Sequence, residues 1–308
     1  MRRGNLRIYI AMERVLLSYL EHICGKTNVH ENYPLKSLTT FGIGGNARFF
    51  VAVNSKDKLQ RLISALKFIE QKYFIIGNGS NILAHDDGYN GVVIKLGFDE
   101  IIDNACFIYA DAGVKIGKLC NFAYERGLSG LEFAYGIPAT VGGAVYMNAG
   151  AFGGAISDVV VMVDALVDSE IKTIEAKNLK FDYRKSVFQK KDWIVLGAYF
   201  YLKPCDKNQI RDRMTTNLEK RRTTQPQAKS AGSVFKRDKN LIVSRAIDEL
   251  GLKGTRIGDA EISTKHAGFI INTGSATSRD VTRLISLIRK QIKSAHNVTL
   301  KTEIQILK

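Results

Sequence analysis

The sequence predicts an α+β protein of more than one unit, on three observations. Short strand-like runs alternate with amphipathic segments from about residue 48, a strand-rich stretch fills the middle of the chain, and a helix, strand, helix, strand pattern follows it. Between the strands lies FAYGIPATVGGAVYMNAGAFGGAIS, residues 133–157, which has 25 residues, six glycines, one proline and no charge. A charge-free run of that length has the composition of a membrane span, but its glycines and Pro138 would ruin an isolated helix. It is expected instead to be buried irregular backbone. Such backbone needs hydrogen-bond partners, and a large ligand lying against side-chain-free glycine can supply them. The stretch reads as a cofactor cradle.

Taken in order, residues 1–30 form an N-terminal extension or helix. Basic residues followed by apolar ones imitate a signal peptide there, but Glu13 and Arg14 interrupt the apolar core. Leu6, Ile10, Leu17 and Leu20 share one helical face, and Glu13 falls on it too. RFFVAV (48–53), a helix from about Ser55 to Ile69, YFIIG (73–77) and GVVIKL (91–96) make an α/β unit. CFIYADAG (106–113), a helix from Ile116 to Arg126, the glycine-rich run, DVVVMVDALV (158–167) and DWIVLGAYFYL (192–202) make a second, with an antiparallel or mixed sheet. A charged helix from about Lys207 to Arg222 runs into TTQPQAKSAGS, whose polar, breaker-rich composition marks a linker or the edge of a site, and a domain boundary. LIVSRAIDEL, AGFIINTG, DVTRLISLIRKQI and VTLKTEIQIL then describe a small α/β domain. Val281, Leu284, Ile285, Ile288 and Ile292 lie on one helical face, and Thr277 with Asp280 makes a capping box.

Composition narrows the function. The 308 residues suffice for two or more cores, and 45% apolar content fits a folded protein. Lys and Arg outnumber Asp and Glu by 45 to 30, a net charge of +15 that suits nucleic acid, an anionic surface or small anionic substrates. The charge is spread along the chain and lacks the interleaved aromatics of a single-strand binder, which disfavours nucleic acid. Cys24, Cys106, Cys120 and Cys205 show neither CxxC nor metal-ligand spacing, so free thiols in a reducing cytoplasm are expected, and no metal.

Two glycine motifs bear on cofactor binding. Gly42-Ile43-Gly44-Gly45-Asn46-Ala47 fits the GxGxxA form of the dinucleotide fingerprint, but no strand precedes it and a strand follows it, so a turn feeding RFFVAV is expected. Gly77-Asn78-Gly79-Ser80-Asn81 directly follows a strand and can cradle phosphate through its N–H groups; a tight turn explains it equally well by itself. The second uncharged glycine-rich run favours the cradle, since two such loops can hold the two ends of a dinucleotide without a GxxxxGK[ST] motif.

TTFGIGG (39–45), GNGSN (77–81), GIPATVGGAVYMNAGAFGG (136–154), YRKSVF (183–188), SAGSVFKR (230–237) and KHAGFIIN (265–272) occur in this order. Together they resemble the UDP-N-acetylenolpyruvoylglucosamine reductase family of bacterial peptidoglycan synthesis, over nearly everything after about residue 30. The resemblance implies a two-subdomain FAD-binding fold of the vanillyl-alcohol oxidase type plus a smaller α/β substrate-binding domain. The implied division is 31–96 and 97–222 for the FAD subdomains, 223–297 for substrate, and 298–308 for a strand returning to the FAD site. It further implies a cytoplasmic, monomeric enzyme that takes FAD, NADPH and UDP-N-acetylglucosamine enolpyruvate, with neither nucleic acid nor membrane as partner.

Residue roles follow from the resemblance. Arg184 would stabilise the enolate-like charge through its donor fork. Ser233 would protonate the α-carbon, and Glu303 would assist, protonated and with its pKa raised by burial. Gly77, Asn78, Gly79, Ser80, Asn81, Gly136, Ala139, Thr140, Gly142, Gly143, Asn148 and Gly150 would hold FAD, with Arg222 reaching its phosphate. Tyr183, Lys236, Arg237 and Lys265 would bind substrate, and His266 would orient or support. The 49 positions between Arg184 and Ser233 match the shorter class of the family, without a tyrosine loop over the substrate. Gln305 stands where a basic residue is often found. Another FAD-linked oxidoreductase of this fold, or a basic nucleic-acid-binding protein, are the alternatives.

Overall fold

The computed structural model describes the backbone of residues 3–308 and side chains from Glu13 onward. Helix α1 (Arg3–Cys24) buries Leu16, Leu20 and Cys24, while Glu13 reaches Arg48 at 2.9 Å. Leu17 is only partly buried, and the side chains of Leu6 and Ile10 lie outside the described residues. Among the described residues, no helix is long and apolar enough to cross a membrane.

Three sheets organise the chain. The first has the order Val29–Pro34, Asn46–Val53, Tyr89–Leu96, Tyr73–Ile76; the outer pair formed by Val29–Pro34 is antiparallel and the other contacts are parallel. Parallel strands need a crossover, and helix α2 (Lys56–Phe68) supplies it, capped by the Ser55 hydroxyl and burying Leu59, Leu62, Ile63 and Leu66. The second sheet is antiparallel throughout, with the order Glu170–Glu175, Val160–Val167, Ile194–Tyr201, Phe107–Asp111, Ile101–Asn104. Helix α3 (Ile116–Glu125) buries Ile116, Leu119, Cys120 and Ala123 in the core that this sheet shares with the first.

The glycine-rich run is less irregular than its composition suggests. Helix α4 (Val141–Met147) forms inside it, capped by Thr140 Oγ1, which accepts from Gly143 N at 3.3 Å, and ended by Asn148 in the left-handed region. Tertiary contact outweighs propensity here. A Cβ on Gly142 would sit 3.0 Å from Ala112 Cβ, so glycine lets the helix lie directly on the second sheet, at the end of its interior strand Phe107–Asp111.

Helix α5 (Lys207–Thr224) leads to the third sheet, with order Lys229–Ser233, Phe269–Asn272, Ala260–Ile262, Arg256–Ile257, all antiparallel. The short strands Arg256–Ile257 and Ala260–Ile262 carry no alternating pattern long enough to find in sequence. Helix α6 (Val243–Glu249) and helix α7 (Ser278–His296) pack against this sheet; the capping box of Thr277 and Asp280 is present, and Val281, Leu284, Ile285, Ile288 and Ile292 are buried. VTLKTEIQIL does not join the third sheet. Gln305–Leu307 instead pairs in parallel with Ile82–Ala84.

Candidate functional site

The two glycine-rich loops touch each other and together line a cavity of about 1720 Å³ that all three sheets help to wall. GNGSN leaves strand Tyr73–Ile76 at its C-terminal end. A Cβ on Gly77 would lie 2.7 Å from Thr140 Oγ1, and one on Gly79, at φ +63°, would lie 2.0 Å from the Leu38 carbonyl oxygen, so neither position has room for a side chain. Asn78 Nδ2 donates to the Pro138 carbonyl at 2.8 Å, joining the loops. The N–H groups of Asn78, Gly79 and Ser80 donate to no acceptor among the described residues. Free donors in succession at a strand end are what an anionic oxygen needs.

A second set of unmet donors comes from α5. Arg221 projects into the cavity wall with its guanidinium 5.4 Å from the Phe152 ring and Nη1 donating to Gln225 Oε1 at 3.1 Å. Its Nε and Nη2 are buried and have no partner, and burial lowers its pKa from the ordinary value. A buried cation with two idle donors is costly unless a ligand completes it. Arg222, from which a contact to the FAD phosphate was expected, is exposed and outside the cavity wall, whereas Arg221, one position earlier, lines it. The signal was present in sequence, because Ile210, Met214 and Arg221 share a face at helical spacing, but α5 is so polar that the stripe is faint. The unpartnered Arg221 atoms, the idle loop N–H groups and the side-chain-free cradle fit a dinucleotide such as FAD. The cavity also exceeds the roughly 300–1,000 Å³ of a one-ligand site.

Arg184 and Glu303 meet in the wall of the same cavity. Tyr183 and Arg184 turn the chain between Asp182 and Lys185, which exchange backbone bonds of 3.1 and 3.0 Å, and Arg184 has φ +51°. That conformation costs about 1–3 kcal/mol in a non-glycine residue and persists only where surroundings fix it. They do so here. Arg184 Nε donates to Glu303 Oε1 at 2.8 Å, Nη2 to Gly150 O at 2.7 Å and Nη1 to Asn148 O at 3.5 Å. The Tyr183 hydroxyl donates to Glu303 Oε2 at 3.3 Å and accepts from Arg237 N at 3.4 Å. Burial first, and the Glu303 carboxylate second, raise the Tyr183 pKa, keeping the phenol a donor. Both Glu303 oxygens are thus engaged, Oε1 by Arg184 and Oε2 by the Tyr183 hydroxyl.

Ser233 closes the group from the third sheet. It pairs with Phe269 at the end of its strand, and the next residue, Val234, accepts from Glu303 N at 2.8 Å, so the two side chains come from adjoining backbones. Lys236 N donates to Lys301 O at 2.9 Å, continuing the contact. Asn81 secures Glu303 from the opposite side: its Nδ2 donates to Glu303 O at 3.2 Å and its carbonyl accepts from Gln305 N at 2.9 Å. Glu303 thus departs from strand alternation, with a side chain only 13% exposed.

Most of the sequence-predicted residues line this cavity, including Gly136, Ala139, Gly142, Gly143, Gly150, Tyr183, Lys236 and Arg237. Three do not. Besides Arg222, Asn148 is buried with its side chain bonded to Asp182 O and Ser157 N, where it braces the Arg184 turn from outside the cavity lining. Lys265 is exposed, and its Nζ donates to Arg222 O at 2.5 Å.

Known proteins resemble this chain along most of its length. The C-terminal domain of UDP-N-acetylenolpyruvoylglucosamine reductase matches residues 225–307, and an FAD binding domain matches residues 47–171. The UDP-N-acetylenolpyruvoylglucosamine reductase of Pseudothermotoga lettingae is 46% identical over 276 residues, covering 89% of this chain and 95% of its own. That of Clostridium novyi is 40% identical over 292 residues, covering 94% and 95%. The crystal structure of UDP-N-acetylenolpyruvylglucosamine reductase from Thermus caldophilus superposes with a TM-score of 0.79 at 35% identity, over 91% of this chain and 98% of that one. Likeness this close, along nearly the whole length of each relative, makes the chain a member of the UDP-N-acetylenolpyruvoylglucosamine reductase family.

Proposed function

We propose that the protein reduces UDP-N-acetylglucosamine enolpyruvate to UDP-N-acetylmuramate with electrons from NADPH, using FAD, as a monomer in the cytoplasm. The supporting observation is that the Arg184–Glu303 pair and Ser233, on the strand next to Glu303, line one cavity together with unmet donors suited to phosphate. Residues 31–96 and 97–222 form the cofactor-holding part of this reading, 223–297 the substrate domain, and 298–308 the returning strand.

Gly77 to Ser80 and Arg221 would hold the cofactor phosphates, and the surface of residues 136–150 would take its ring system. FAD, once reduced by NADPH, would supply hydride to the substrate's double bond. Negative charge then develops at the carbon α to the substrate carboxylate. Arg184 faces that charge with a guanidinium whose position is fixed by the Gly150 and Asn148 carbonyls and by Glu303 before substrate arrives, so little reorganisation is needed. Glu303 and Tyr183 hold the fork in register. Ser233 donates the proton to the α-carbon from the third sheet. Lys236 and Arg237, on the chain just beyond Ser233, supply positive charge for the substrate diphosphate.

Purified protein is expected to be yellow and to oxidise NADPH only when the enolpyruvyl nucleotide is present. A colourless preparation that cannot be reconstituted with FAD would sink the proposal.

A further inference from the structure

His266 lies in the cavity wall, and no role in holding cofactor or moving a proton has been given to it. Its surroundings are those of a fixed donor. The ring Nδ1 accepts from Gly268 N at 3.1 Å, which leaves the proton of a neutral imidazole on Nε2. The ring meets Phe269 edge to face, with centroids 4.9 Å apart. Its own turn is tied down twice: buried Ser263 Oγ accepts from Lys265 N at 3.2 Å and His266 N at 3.3 Å, and Lys265 Nζ is bonded to the end of α5. Nε2 has no acceptor among the described residues, yet it is not sealed off. Burial, with a smaller contribution from Lys253, lowers the pKa of the ring and keeps it neutral. A side chain so held, with one idle N–H facing a cavity, is built to meet an oxygen.

Placement says whose oxygen. Phe269, against which the ring packs, is the register partner of Ser233; Ser244 stands beside the ring at Gly268, and Lys236 and Arg237 line the same cavity. The cofactor donors belong to the first two sheets and α5, whereas this wall belongs to the third. We infer that His266 Nε2–H donates to an oxygen of the nucleoside diphosphate moiety of the substrate. His266 is then a binding residue that adds a neutral, directional contact to a wall whose other donors are flexible cations. The inference rests on the reductase reading above, from which it is separable by experiment.

The test is calorimetric binding of UDP and of the enolpyruvyl nucleotide to FAD-loaded protein. His266→Ala is expected to weaken UDP binding by roughly tenfold, the usual worth of one hydrogen bond to a charged group, and to raise KM more than it lowers kcat. Glutamine can place an N–H near the position of Nε2, so His266→Gln should keep UDP affinity within about threefold of wild type. Both variants should retain wild-type FAD affinity and melting temperature. Unchanged UDP binding in His266→Ala would overturn the inference, as would equal losses of UDP and FAD binding in both variants, since the ring would then be a packing wedge. Wild-type protein that binds FAD but neither nucleotide would overturn the reductase reading as well, and this is seen before any variant is made.

Discussion

Residue chemistry at the site depends on groups held in place by neighbours that do no chemistry. Arg184 keeps a left-handed backbone because the Gly150 and Asn148 carbonyls and Glu303 all engage its guanidinium. On the proposed mechanism, Ser233→Ala leaves flavin reduction by NADPH nearly intact and slows substrate reduction by several orders of magnitude, beyond the roughly 10²–10⁴ usual for a general acid. Stopped-flow measurement of the two half-reactions checks this; equal loss in both would contradict the assigned role. Arg221→Met keeps the length of the side chain and removes the unpartnered donors, so FAD affinity is expected to fall about 10- to 100-fold, read by flavin fluorescence on titration. Arg222→Met should leave it unchanged. Burial pushes the Cys24 thiol up to about 11 and Cys120 to about 12, while Cys106 and Cys205 are half exposed. Alkylation at pH 8 should therefore label Cys106 and Cys205 and spare the buried pair until the protein unfolds.

Elements show where local signals sufficed. Helix α7 was legible to its caps because a wide apolar stripe and a capping box agree. One contributor at its start was not legible: Asp86, 192 positions earlier, accepts from Ser278 N at 2.7 Å and Arg279 N at 3.1 Å. Asp86→Ala should destabilise the protein by about 1–2 kcal/mol, measured as a lowered urea midpoint at unchanged slope, because it removes a charged cap from a helix N-terminus. Helix α4 escaped the sequence altogether, since two glycines and a following left-handed Asn148 argue against a helix that only the surface of Ala112 makes worthwhile. The strands Arg256–Ile257 and Ala260–Ile262 were missed for a different reason: stretches of two and three residues have no period to detect. Arg221 and Arg222 are alike in sequence, and the rotation of α5 turns the first into the cavity wall and the second to the exterior.

At the scale of the molecule, the third sheet's unit is fastened to the first by contacts between distant residues. Thr40 Oγ1 donates to Ser230 O at 2.6 Å, Asn272 Nδ2 to Phe41 O at 3.1 Å, and Gln305–Leu307 completes a two-stranded parallel pair with Ile82–Ala84. Such motifs as TTFGIGG were visible in sequence as conspicuous strings, and their purpose as a seam was not. His266 sits in the wall of the cavity between these units. With its pKa lowered on folding, the unfolded chain binds the extra proton, so its contribution to stability is full above the ordinary value of 6.5 and is lost as pH falls through that value. Wild type should thus lose more melting temperature than His266→Gln between pH 7 and pH 5.5, in thermal scans of FAD-loaded protein.

The bond from Asn81 Nδ2 to the Glu303 carbonyl spans 222 positions of chain. Translation proceeds from the N-terminus and units fold as they emerge, so the GNGSN loop and both of the first two sheets can be in place while the residues that complete the site are still unmade. During that interval Arg184 has no carboxylate partner and Ile82–Ala84 presents an open strand edge, a template for pairing with another chain. Assembly of this enzyme therefore contains a vulnerable period whose length is set by synthesis of the third unit, and a slowed ribosome between residues 202 and 307 would be felt as aggregation before it was felt as lost activity.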